Sequence, residues 1–239
     1  MIMSAGSHKG KVRRYNEDSY YISEGKFEYM VVADGMGGHK GGQTASKTAI
    51  ENVRMYLTDS RVDDVDDLHG SLEECIDLTN HAVYKKASID DELAGMGTTL
   101  LIFCKVNGVG YAVNVGDSRC YLIRDEEIYQ ITKDHSVVQE LFDNGQIEKA
   151  DMKNHPNKNI ITRAIGTNYS VKCDIFEFPV RDNDAIILCT DGLSNMLDDS
   201  EILDVYLNAP DLDACVKELI DKANDAGGTD NITVAVAGL

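Results

Sequence analysis

Four short stretches set carboxylates beside glycine, arginine or histidine at spacings that could build one shared site. They are residues 13–18 (Arg-Arg-Tyr-Asn-Glu-Asp), 34–39 (Asp-Gly-Met-Gly-Gly-His), 190–193 (Thr-Asp-Gly-Leu) and 228–231 (Gly-Thr-Asp-Asn). Asp34 and Asp191 each follow a short apolar run, residues 29–33 and 186–190, that reads as a strand. A carboxylate at a strand exit is held by a rigid element yet faces solvent. Several converging there would form an oxygen-rich pocket for hard divalent cations such as Mg2+ or Mn2+. Asp34, Asp191 and Asp230 could bind or bridge two such ions, with the backbone carbonyl of Gly35 as a further ligand. Two ions can lower the pKa of a bridging water and orient it for in-line attack on phosphorus. The pattern therefore points to metal-assisted hydrolysis of a phosphate ester. One Asp-Gly pair usually marks a turn; two at strand exits, beside Asn-Glu-Asp and Thr-Asp-Asn, weigh against that reading.

Other residues extend the chemistry. The planar fork of Arg13 matches a phosphate bidentately, while Arg14 reads as its solvated neighbour. His39 could protonate a leaving alkoxide; a locally packed loop histidine is the alternative. Asp117 lies at another strand exit, within Asn-Val-Gly-Asp-Ser-Arg at 114–119, and reads either as part of a third, weaker metal site shared with Asp191 or as a turn residue. The remaining histidines show no ligand spacing with each other. The glycines after Asp34 lack a Walker lysine and do not match a dinucleotide fingerprint.

Positioning these groups requires strands that end together. Residues 19–23 and 27–33 read as a hairpin pair across 24–26. Asn107-Gly108 joins strands at 98–106 and 109–115, the strongest short hairpin signal, and strands at 119–123 and 127–131 follow. Further strands are expected at 172–180, 184–189 and 232–237. Helical spacing places helices at 44–57, 66–87, 135–143, 200–207 and 211–226, leaving 144–159 polar and irregular. Strands joined by hairpins and helices grouped in blocks predict an α+β fold with antiparallel sheets, covered by helix pairs on both sides.

Composition sets the bounds. With 239 residues, three prolines and no Ser- or Gly-rich linker, the chain reads as one domain over 1–239. The net charge of −18 shows no basic stripe for nucleic acid and disfavours anionic membranes. The six scattered cysteines read as free thiols, mostly buried. No signal-peptide pattern or membrane span is visible, so a reducing cytoplasm is expected.

Together these stretches resemble the metal-dependent protein phosphatases of type 2C, in their compact bacterial form. The matching segments run in order at 10–18, 32–39, 97–99, 115–119, 161–166, 189–193 and 229–234. The resemblance implies a four-layer αββα sandwich and hydrolysis of phosphoserine and phosphothreonine without a phosphoenzyme. It implies Mn2+ or Mg2+, with Asp34 and Gly35 on the first ion and Asp34, Asp191 and Asp230 on the second. Glu17 and Asp18 would support the site largely through water, Asp117 would hold a third ion, and Arg13 would bind phosphate. Residues 136–166 correspond to the variable flap. Many eukaryotic members carry histidine where this chain has Met36, which leaves His39 as the substitute general acid. The implied partners are phosphorylated proteins of a cognate serine/threonine kinase, acted on by a monomer. Two other readings stay open: a catalytically silent phosphoprotein-binding module on the same fold, and a hydrolase of a small phosphate ester.

Overall fold

The structure, a computed structural model, describes residues 1–23, 25, 27–59 and 68–239, with the backbone alone for His39 and Asp59. The start expected for the helix at 66–87, and two residues of the turn at 24–26, lie outside the described residues. In chain order the elements are β1 (Ile2–His8), β2 (Ser19–Ile22), β3 (Tyr29–Ala33), β4 (Gly35–Met36), α1 (His39–Asp59) and α2 (Leu68–Ile89). A second group is β5 (Gly97–Thr98), β6 (Leu100–Val106), β7 (Val109–Val115), β8 (Arg119–Arg124) and β9 (Glu127–Gln130). Then come α3 (Val137–Asp143), α4 (Lys149–Met152), β10 (Asp174–Pro179), β11 (Ala185–Cys189), α5 (Asp191–Ser194), α6 (Asp199–Asn208), α7 (Leu212–Asp225) and β12 (Ile232–Gly238).

Two five-stranded antiparallel sheets, ordered β1-β12-β11-β8-β9 and β10-β7-β6-β3-β2, face each other. Met30, Val32, Leu101 and Phe103 of one sheet pack against Leu122, Ile186, Leu188 and Ala235 of the other. The outer face of one sheet is covered by α1 and α2 through Ala49, Val53, Leu72 and Ile76. The other is covered by α6 and α7 through Ile202, Val205, Val216 and Leu219. This is the expected four-layer α+β sandwich. Fully burying one such aliphatic side chain contributes roughly 1.5–3 kcal/mol, so three stacked apolar layers can hold charged loops against their own repulsion. Among the described residues no helix is long and apolar enough to cross a membrane.

Several elements differ from the sequence reading. β1 was not expected, because its Ser, Ala and Gly give little apolar alternation. Those small residues make room for α7: a Cβ on Gly6 would lie 2.9 Å from Val216 Cγ1. α1 begins at His39 rather than 44. Its early glycines, which weaken helix propensity, let the first turn pack on β4. The region expected to be irregular contains α4, started by a reciprocal capping box between Glu148 and Asp151. The hairpin at Asn107-Gly108 has the expected left-handed backbone, with φ of 50° and 79°. All six cysteines are free, and five are buried.

Strand register brings the loops together. β11 and β12 are antiparallel, with Cys189 opposite Val234, so the exit of β11 lies beside the entry of β12. His8 at the end of β1 pairs with Ile232 at that same edge. In the other sheet Val115 pairs with Leu100, and Val32 with Leu101. The exits of β3 and β7 therefore share an edge too.

Candidate active site

The carboxylates gather where these strand ends meet. A recess of about 430 Å3 is lined by Arg13, Glu17, Asp34, Gly35, Asp117, Asp191 and Asp230, drawn from all four stretches and from the β7 exit. Met36, Thr99, Asn159, Ile161 and Asn231 complete its wall. Asp34, Asp117 and Asp191 each keep a partly exposed face on the recess, while protein atoms surround the rest of the side chain.

Backbone-directed hydrogen bonds aim each loop. The Asp34 N–H donates to Thr99 Oγ1 at 2.9 Å, and Thr98 Oγ1 donates to the Asp34 carbonyl at 2.8 Å. Thr99 Oγ1 also shares a bond with Ser118 Oγ at 2.9 Å, tying the Asp34 loop to the Asp117 loop. Asn231 is buried and clasps the N-terminal loop three ways. Its Oδ1 accepts from the Glu17 N–H at 2.8 Å, and its Nδ2 donates to the carbonyls of Lys9 and Tyr15, both at 2.9 Å. His135 and Gly116 exchange bonds: the Gly116 N–H donates to His135 Nδ1, and the His135 N–H donates to the Gly116 carbonyl. The residue preceding Asp117 is fixed in this way. Two glycines permit close backbone approach: a Cβ on Gly35 would sit 2.1 Å from the Gly42 carbonyl oxygen, and one on Gly192 1.9 Å from that of Asn231.

The electrostatics are those of crowded, buried acids. Burial, reinforced by Asp18, Asp191, Asp117 and Asp230, pushes the Asp34 carboxyl well above its ordinary range. Burial and Asp191 raise Asp117 likewise. Asp191 is pushed up to about 6 by burial and by Asp230, although Asp34 is within hydrogen-bonding reach. Asp18 sits behind the recess, where its Oδ2 accepts from Thr190 Oγ1 at 2.9 Å and Thr233 Oγ1 at 2.7 Å. Burial pushes it up to about 7. Among the described residues Asp18 Oδ1 and Asp191 Oδ1 are buried with no hydrogen-bond partner.

Such a cluster fits a divalent cation. Buried carboxylates without counter-charge are costly, and these two oxygens, unpartnered among the described residues, are hard donors suited to a cation. Among the described residues no three His, Cys, Asp or Glu side chains by themselves form a ready-made cage. That suits Mg2+ or Mn2+, which retain several waters and take few carboxylates.

Each residue singled out in the sequence is now placed. Asp34, Gly35, Asp117, Asp191, Asp230, Glu17 and Arg13 line one recess, and Asp18 lies beneath it. Arg13 Nη2 donates to Asp230 Oδ2 at 2.6 Å. His39 opens α1 directly after the recess-lining Gly37 and Gly38, and its side chain lies outside the described residues. The sequence reading missed Thr190 and Thr233 as partners of Asp18, Asn231 as a clasp and His135 as the holder of Gly116. The first three flank or sit within the stretches already noted, which is the signal that could have found them; His135 carried none.

The chain matches the protein phosphatase 2C family model over residues 5–232. It is 37% identical over 229 residues to the serine/threonine phosphatase stp of Listeria innocua, covering 95% of this chain and 91% of that protein. The solved Mycobacterium tuberculosis serine/threonine phosphatase PstP/Ppp superposes with a TM-score of 0.91 at 36% identity, covering 100% and 98% of the two chains. The catalytic domain of PstP in complex with two manganese ions superposes with a TM-score of 0.87 at 35% identity, covering 98% and 96%.

Proposed function

The chain belongs to the protein phosphatase 2C family and is a protein-serine/threonine phosphatase, and on that premise we propose that the recess is its catalytic centre. The family is metal-dependent; Mn2+ or Mg2+ is our assignment, and the manganese complex of PstP supports it. Asp34, the Gly35 carbonyl, Asp191 and Asp230 would hold two ions, and Asp117 a third, weaker one. Glu17 and Asp18 would act from behind, through water. When bound, the ions activate water for in-line attack on phosphorus and neutralise charge on the phosphate oxygens.

The chain's own groups supply the rest. Asn231, Thr98 and Thr99 hold the backbone that carries Glu17 and Asp34. Arg13 pairs with Asp230 through side chains that are 54% and 30% exposed. Exposed pairs of this kind contribute only about 0–1 kcal/mol, so Arg13 can exchange Asp230 for a substrate phosphate at little cost. Ile161 and Asn159 of the 136–166 flap reach the recess wall. His39 is our candidate for protonating the leaving serine or threonine oxygen. We further assign phosphoproteins of a cognate kinase as substrates, a monomer as the working state, residues 1–239 as one catalytic domain and the cytoplasm as the compartment.

The observation that carries the proposal is the convergence of carboxylates from separate loops on one recess, with buried oxygens that lack partners among the described residues. No carboxylate of the proposed metal site is missing, which disfavours a silent binding module. The test is phosphate release from a phosphothreonine peptide with and without Mn2+, for the parent and Asp191→Ala. Metal-dependent turnover that disappears in the variant is expected. A folded, Mn2+-loaded parent without turnover would overturn the proposal.

A further inference from the structure

A second, larger groove of about 800 Å3 opens from the catalytic recess, sharing Asp117 and Asp191 with it. One wall is the flap, from α3 through α4 to Lys158; the other is the α5–α6 segment beginning at Ser194. Its volume falls within the range of about 300–1,000 Å3 of clefts that take up a drug-sized ligand. A peptide whose phosphorylated residue occupies the recess must leave it on either side, and this groove offers one continuous path.

The charges along the groove are sorted. Asp134 is held by Arg119, Asp143 by Lys133 and Asp198 by Lys153, at 2.7, 2.7 and 2.6 Å. Asp117 and Asp191 face the recess, and Asp199 at the start of α6 lines the groove with no lysine or arginine at ion-pairing distance among the described residues. Lys149 and Lys158 also line the groove, yet among the described residues neither has a carboxylate within ion-pairing distance. They are ammonium groups without a partner in a chain whose net charge is −18. At physiological ionic strength charges beyond about 8 Å are largely screened. A segment lying in the groove therefore feels Lys149 and Lys158, offset in part by Asp199, more than the acidic surface as a whole.

Resting on the phosphatase reading above, we propose that this groove is a specificity subsite for an acidic segment flanking the phosphorylated residue, selected by Lys149 and Lys158. The global field alone would favour basic substrates, so the two readings predict opposite rankings. The test measures kcat/KM in 0.15 M salt for phosphothreonine peptides with Asp/Glu, neutral or Lys/Arg flanks, the acids placed before or after the phosphorylated residue. We expect the acidic flank on one side to exceed the neutral peptide roughly 2- to 30-fold, the range for two exposed ion pairs. In the double variant Lys149→Glu, Lys158→Glu that ratio should fall below one. Equal kcat/KM for all flanks, a basic preference in the parent, or an acidic preference that survives the double variant would overturn the subsite. Turnover of no peptide would instead overturn the phosphatase reading, and the subsite with it.

Discussion

Thr233→Val probes how the site tolerates a carboxylate that nothing neutralises in the metal-free protein. Thr233 is fully buried, and its hydroxyl donates to Asp18 Oδ2 at 2.7 Å while bonding Ser7 Oγ at 2.7 Å. Valine keeps the shape and deletes the donor. The size of the loss depends on the charge of Asp18, which burial pushes up to about 7 against the pull of Thr233 and Thr190. At pH 5 the carboxyl is protonated, and a neutral hydrogen bond contributes about 0.5–1.5 kcal/mol. At pH 8 it is ionised, and the same bond contributes about 1.5–3 kcal/mol. The folded pKa of Asp18 lies above its unfolded value, so stability falls as pH rises toward 7. Losing Thr233 lifts that pKa further and steepens the fall. Thermal unfolding of the metal-free parent and variant should differ by about 3–12 °C at pH 8, at about 2–4 °C per kcal/mol for a chain of this size. The difference should shrink at pH 5. Combining Thr233→Val with Asp18→Asn should remove the pH dependence of the difference, because the ionisable partner is gone. A loss of equal size at both pH values would refute the reasoning and leave only a packing effect.

The other predictions concern metal and backbone. Because burial and mutual repulsion raise Asp34, Asp117, Asp191 and Asp18 above their ordinary value, the metal-free protein should lose stability as pH rises from about 4 to 7. Mn2+ at a hundredfold excess over Kd should restore about 2.7 kcal/mol at pH 8, near 5–11 °C in Tm; calorimetry that detects no rise would contradict the metal assignment. Gly192→Ala would bring a Cβ to 1.9 Å from the Asn231 carbonyl oxygen and should cost about 1–3 kcal/mol or more. Urea unfolding that leaves the midpoint unchanged would show that the Asp191 and Asp230 loops need no such close approach.

What the sequence made legible follows from which forces are local. Asn107-Gly108 specifies its hairpin through its own φ angles, and the paired Asp-Gly exits advertise strand ends because apolar runs precede them. The site acids could be read for the same reason. A buried, uncompensated carboxylate is costly wherever it lies, so several at strand exits point to a common cation, as proposed above. β1 was illegible because its small residues answer to α7, more than 200 positions away in the chain. The start of α1 was hidden in the same way, since Gly42 is shaped by Gly35 and not by helix propensity. His135 gives no local sign of clasping Gly116, because that bond exists only once the β7 exit and the start of the flap have met. The two classes of residue therefore differ in kind. Groups proposed to perform chemistry declare themselves by an uncompensated charge, whereas groups that position them are neutral donors and acceptors whose partners are chosen by the fold. Thr190, Thr233 and Asn231 belong to the second class, and only their place beside the charged stretches could have revealed them.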